Sequence, residues 1–177
     1  MRRIKTRRFL ITAAITVLCY LLQCTLFPYL TLASVKPNLL LIITASYGFM
    51  RGAKDGMLVG FFSGLLVDIQ FGELLGFYAL IYLLIGYFNG LFHQMYYDED
   101  IKLPLVLIAG SELSYGVIIY FFLFMLRSEF HFLHYLSHII IPELIYTIVV
   151  TLGLYPLILF INHRLEAEEK RSASKFV

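Results

Sequence analysis

Charge is scarce in this sequence. Asp, Glu, Lys and Arg make up 15% of its 177 residues, against about a quarter in an average soluble domain. Hydrophobic residues make up 60%, and the mean hydropathy is +0.81. Several apolar runs exceed the ~18 residues that mark a membrane crossing. These features exclude a water-soluble fold, and so little of the chain lies outside the runs that no sizeable soluble domain fits beside them. Cysteine is equally sparse. Cys19 and Cys24 fall five positions apart in one apolar run, on different faces of a helix, so they form neither a bridge nor a thiolate metal site. The sequence has no Walker loop, Gly-x-Ser-x-Gly, dinucleotide fingerprint or aromatic–basic nucleic-acid surface. No nucleophile is set against a base. An enzyme, a cofactor and a nucleic-acid partner are therefore not expected.

The charge that is present is placed unevenly. MRRIKTRR opens the chain with five basic residues, a segment suited to the anionic cytoplasmic surface of membrane lipid. The apolar run from Phe9 to Phe27 is longer than the ~7–15 residues of a signal-peptide core and reads as a retained first helix. Six spans are expected, at 9–30, 37–50, 55–71, 73–93, 103–126 and 132–161. The second is short: about 14 residues reach ~21 Å against a ~30 Å hydrocarbon core, and a re-entrant hairpin there would leave five crossings. Six crossings put residues 1–8, Arg51, Lys54, Lys102 and the tail on one side, which is 12 of the 14 basic residues. Only Lys36 and Arg127 fall opposite. Five crossings divide the same residues six against eight, so the positive-inside rule selects six, with both termini cytoplasmic. The expected fold is an all-α integral membrane protein. Its parts are a cytoplasmic basic N-terminus (1–8), a six-helix membrane domain (9–161) and a mobile, charged cytoplasmic tail (162–177).

Glycine recurs every four residues along the third span, at Gly56, Gly60 and Gly64, with Asp68 where the next would fall and Gly72 and Gly76 beyond. The same register runs back through Gly52 and Gly48. In lipid, helices associate by close packing, and small residues let backbones touch. The ladder therefore predicts a tight helix contact, either within the chain or with a partner. A turn of a few residues at Gly72 and Glu73 makes the third and fourth spans a hairpin. Asp68, about one turn from the outer end, can cap a neighbouring helix N-terminus or take part in recognition. Glu112 and Glu143 lie ~14 and ~17 Å into their spans, counted from opposite sides. Each shares a helix face with a tyrosine three residues on, in ELSY and ELIY. No Lys or Arg lies within a span to pair with them, so they are expected to be neutral, hydrogen-bonded to Tyr, Ser or Asn, or lining a wet cavity. Asn89 and Ser111 are the candidate company. His131, His134 and His138 share a helical face, but no HExxH or neighbouring cysteine supports a metal site.

Residues 36–87 carry a further pattern: Pro37-Asn38-Leu-Leu, the glycine-spaced helix with Gly60 and Gly64 ending in Gly-Leu-Leu-x-Asp68, then Leu75-Gly76 and an apolar helix ending in Gly86-Tyr87. This order resembles the rod shape-determining MreD family, with Asn38 standing where that family commonly has aspartate. The resemblance implies a non-enzymatic component of the bacterial cell-elongation complex, binding MreC and acting with MreB, RodA and a penicillin-binding transpeptidase in lateral peptidoglycan synthesis. It implies a site in the cell membrane. Asp68, Glu112, Glu143, Asn38 and Asn89 are, by their polarity within apolar stretches, the candidates for partner contact or structural polarity. The family in turn looks like the six-helix substrate-binding subunits of energy-coupling-factor vitamin transporters, which supplies a second reading as an uptake subunit. The first helix offers few small residues, Ala13 and Ala14, and the 31–36 loop is short. Both weigh against that reading.

Overall fold

The computed structural model describes residues 2–31, 35–71, 75–95, 101–124 and 132–173. The expected turn residues Gly72 and Glu73, the acidic 96–100 stretch, Arg127 and His131 lie outside them. The described residues are almost entirely helical, with no strand among them. In chain order the helices are α1 (Arg2–Thr25), α2 (Leu39–Arg51), α3 (Ala53–Phe71), α4 (Phe77–Leu91), α5 (Lys102–Ile119), α6 (Phe132–Tyr135) and α7 (Ile141–Ala173). A 3-10 turn, Phe92–Met95, follows α4. A π-helical stretch, Tyr120–Phe124, extends α5, and another, Leu136–Ile140, joins α6 to α7 as one continuous rod.

A helix thus occupies each stretch expected to span. Among the described helices, three are long and apolar enough to cross a membrane: Thr6–Thr25, Lys102–Phe122 and Phe132–Glu168. The other three fall short for identifiable reasons. With 13 and 15 residues, α2 and α4 reach only about 20 and 22 Å, while α3 carries Lys54, Asp55 and Asp68.

Local chemistry sets the helix ends. The first helix stops at Thr25 and passes into turns, with the Tyr29 N–H on Leu26 O and the Leu30 N–H on Phe27 O. Pro28 sits at that break, where the residue before a proline leaves the helical region. At the start of α2, Asn38 is the N-cap and its Oδ1 accepts from the Leu41 N–H at 3.2 Å. Pro37 therefore stands just outside the helix. A single residue, Gly52, separates α2 from α3. Its φ of +94° is a conformation that L side chains rarely adopt.

The core is arranged around α2. Every residue from Leu39 to Met50 is buried, as befits a helix apolar on all sides. It packs against α1, α3, α4, α5 and α7. The helix shortest for a crossing is therefore the central one. The helices around it turn large apolar side chains outward, including Leu10 and Leu18 of α1, Leu80 of α4 and Leu152 of α7.

Polar contacts join elements at two ends of the molecule. At one end Arg7 pairs with Glu168 at 2.8 Å, Arg8 donates to Asn162 Oδ1 at 2.8 Å, and Arg51 pairs with Glu166 at 3.0 Å. At the other, the Tyr146 hydroxyl donates to Leu30 O at 2.6 Å and the Asn38 N–H donates to Thr147 Oγ1 at 3.2 Å. The tail expected to be mobile from residue 162 instead continues the helix to Ala173. Its first turns are held by arginines of α1 and α2. Likewise, residues 2–8 belong to α1 rather than preceding it.

Candidate functional site

The glycine ladder is the seam between α3 and α4. Moving along α3 from its start, Ala53 lies against Gly90, Gly56 against Gly86, Gly60 against Tyr82, and Gly64 against Tyr78 and Ala79. The partner number falls as the α3 number rises, so the two helices run antiparallel. At Gly56 three helices meet: a Cβ there would collide with the Gly86 carbonyl of α4 and come within 2.6 Å of Gly48 Cα of α2. At Gly60 it would collide with the Tyr82 carbonyl and reach Thr44 Cγ2 at 3.0 Å. No side chain fits at these points, because the obstacles are backbone. Spacing every four residues on α3 is answered by Gly86 and Gly90, four apart on α4.

Asp68 closes the seam. Its side chain is 2% exposed. Oδ2 accepts from the Gly76 and Ala79 N–H groups, both at 3.0 Å, and Oδ1 from the Tyr78 N–H at 2.9 Å. These are N–H groups of the first turn of α4, which have no partner within their own helix. Gly76, the N-cap of α4, has no side chain to offer them. The carboxylate of α3 does the capping across the hairpin, at the end where the helix dipole favours negative charge. Of the two roles open to Asp68 in the sequence, the geometry fills the capping role with both oxygens.

Asn38 is a second junction, 3% exposed. Besides capping α2, its Oδ1 accepts from the Tyr82 hydroxyl at 2.7 Å, and its N–H reaches Thr147 of α7. Asn89 and Ser111, the expected company of the buried carboxyls, instead bond each other: Asn89 Nδ2 donates to Ser111 Oγ at 2.7 Å and to Ile85 O at 2.8 Å. The tyrosine expected to serve Glu143 is also engaged elsewhere, since Tyr146 donates to Leu30 O.

Glu112 itself is 2% exposed, and neither of its oxygens has a hydrogen-bond partner among the described residues. The hydrogen bonds expected for it from Tyr, Ser or Asn are not formed. Leaving such a group unsatisfied costs about 1–3 kcal/mol, and more if it is charged. Glu143 is half-buried. Tyr115, one turn beyond Glu112, stands edge-on to Tyr82 with ring centroids 5.6 Å apart.

The remaining polar groups lie elsewhere. His134 and His138 stack at 4.1 Å on an exposed face, and no group of three metal-ligating side chains occurs among the described residues. Cys19 and Cys24 are free, and the Cys24 thiol donates to Gln70 Oε1 at 2.7 Å. Sequence reasoning missed three features: the arginine latch to α7, the Asn38–Tyr82–Thr147 junction, and the single-residue joint at Gly52. A signal existed for the last, since Gly52 is in register with the ladder.

No curated protein and no solved structure matches the chain. The family model described as rod shape-determining protein MreD matches residues 3–163, which includes α1 to α5 and most of α7. With its capped glycine seam and a match over nearly its whole length, the chain belongs to the MreD family, a family of shape-determining proteins rather than enzymes.

Proposed function

We propose that this chain is a non-enzymatic, multi-pass component of the bacterial cell membrane that holds MreC and the wall-synthesis machinery together during cell elongation. MreB, RodA and a penicillin-binding transpeptidase are the further partners. The observation that carries this reading is the family match over residues 3–163. The polar groups add support: Asp68, Asn38 and Asn89 hold helices to one another, as suits a rigid framework.

Six crossings fit the polar contacts at the two ends. Asn38 at the start of α2 meets Thr147 of α7, and Arg51 at its end meets Glu166, 19 residues or about 28 Å farther along the same rod. A re-entrant α2 would return to the end it came from. Arg7, Arg8 and Arg51 gather on the end that also carries Glu166 and Glu168, which agrees with cytoplasmic termini under the positive-inside rule.

The test is affinity purification of the tagged full-length chain from native membranes. Recovery of MreC with elongation enzymes is expected. Recovery of paired ATPases with a transporter scaffold, and no MreC, would overturn the reading in favour of an uptake subunit.

A further inference from the structure

His134 and His138 belong to the rod that leads into α7, and the scaffold role does not use them. Their spacing alone carried no metal site; the structure adds orientation. The two rings are stacked, with centroids 4.1 Å apart and planes 24° from parallel, and both side chains are exposed. His138 Nδ1 lies 3.2 Å from the His134 carbonyl oxygen and 2.9 Å from Ser137 Oγ. The Ser137 hydroxyl donates to Leu133 O at 2.9 Å, which leaves its lone pairs for the ring. A carbonyl oxygen only accepts, so His138 carries its proton on Nδ1 and keeps a bare lone pair on Nε2. The backbone beneath is unusual. Leu136–Ile140 is π-helical, with the Ile141 N–H on Leu136 O, a form that is rare and recurs at functional sites. The opposite face holds the rod in place: Tyr135 packs on Tyr120 with ring centroids 5.2 Å apart, and Ile140 is buried against Gly116.

An imidazole that donates one ring N–H to a backbone carbonyl and keeps its other nitrogen open is the form in which proteins present a metal-binding histidine. A second ring one turn away makes a chelating pair. Bonds of ~2 Å from one ion to each ring span the width of this stack. Ring nitrogens suit zinc, copper and nickel, whereas magnesium and calcium ask for oxygen. Two protein ligands are fewer than a closed structural site takes, so water fills the remaining positions. The location allows access. His138 is 28 residues or about 42 Å along the rod from Glu166. With the arginine end at one membrane face, a ~30 Å hydrocarbon core leaves the histidines beyond the other. We propose that His134 and His138 together bind one divalent transition-metal ion of the zinc–copper–nickel class, at the end of the molecule opposite the arginines. This site is independent of the scaffold role.

The full-length chain, free of any histidine tag, is reconstituted in phosphatidylcholine nanodiscs and titrated with copper(II) chloride. Electron paramagnetic resonance should show one bound ion coupled to two imidazole nitrogens. Excess zinc chloride should displace it, and magnesium chloride at the same concentration should not. His134→Ala and His138→Ala should each remove a nitrogen from the spectrum. Each should also raise the half-saturating copper concentration about tenfold or more, since the second ligand of a chelate acts at high effective concentration. His163→Ala, near the arginine end of α7, should change neither readout. On the unmodified chain, zinc should slow the modification of His134 and His138 by diethylpyrocarbonate, followed by peptide mass spectrometry, and leave His163 unaffected. That measurement decides if an alanine variant does not fold. The proposal is overturned if both alanine variants fold and bind copper like the unmodified chain, which would make the ion adventitious, or if zinc protects neither histidine more than His163.

Discussion

Asp68 shows how one buried acidic residue can be wholly structural. Its two oxygens serve three backbone donors, an arrangement that depends on both atoms being acceptors. An asparagine matches its size but presents an NH2 group where one acceptor is needed, so at least one N–H of α4 would face a donor. Asp68→Asn should therefore destabilise the folded chain by about 2–3 kcal/mol, the combined effect of a lost cap and a stranded buried donor. Urea unfolding in mild detergent would measure it. An Asn variant as stable as the original, yet unable to recover MreC, would return Asp68 to a recognition role. The carboxylate's position in register with the glycines was legible in the sequence, and so was capping as one of its uses. Its target was not, because the three donors are 8 to 11 residues ahead on another helix. Glu112 was legible as buried but not as bare: the tyrosines and amides that spacing offered it had closer partners.

Between α3 and α4 the sequence was most informative. In lipid the hydrophobic effect does not sort one apolar face from another, so small residues at regular spacing are the surviving record of where backbones touch. The structure adds that the contact is internal and that α2 shares it at Gly48. Gly56→Ala should then lower the yield of folded chain severely, since the added methyl meets the Gly86 carbonyl and Gly48 Cα. Gly153→Ala is the matched comparison: it lies in α7, where nothing stands within 4 Å of the new Cβ. Removing a glycine from a helix interior there should stabilise by about 0.5–1 kcal/mol. Thermal melts of the two variants side by side would check both signs. What the sequence concealed at this level is the centrality of α2. Hydropathy reads Leu39–Met50 as a short lipid-facing span, because a residue packed in protein and one packed in lipid look alike in composition.

For the molecule as a whole, the placement of arginines carried the most. Arg7, Arg8 and Arg51 bond to the same stretch of α7, Asn162 to Glu168, and charge counting puts those three arginines and the tail on the cytoplasmic side as an expectation that a reporter can test. A reporter fused after Val177 should read cytoplasmic and one inserted at residue 72 external. A cytoplasmic signal at 72 would remove the six-crossing reading. The helical continuation to Ala173 was not legible, since RLEAEEKRSA resembles any solvated tail until its arginine partners, more than a hundred residues upstream, are known. The central helix has one more consequence, and it concerns synthesis. Asn38 and Arg51, at the two ends of α2, bond to Thr147 and Glu166, which leave the ribosome last. While the chain is being made, its innermost helix waits without its final neighbour, too short to sit in the bilayer alone and joined to α3 through the single residue Gly52. The innermost helix is therefore enclosed in two stages, by α1, α3, α4 and α5 first and by α7 last, and a message truncated before residue 147 yields a chain whose central helix lacks its α7 face.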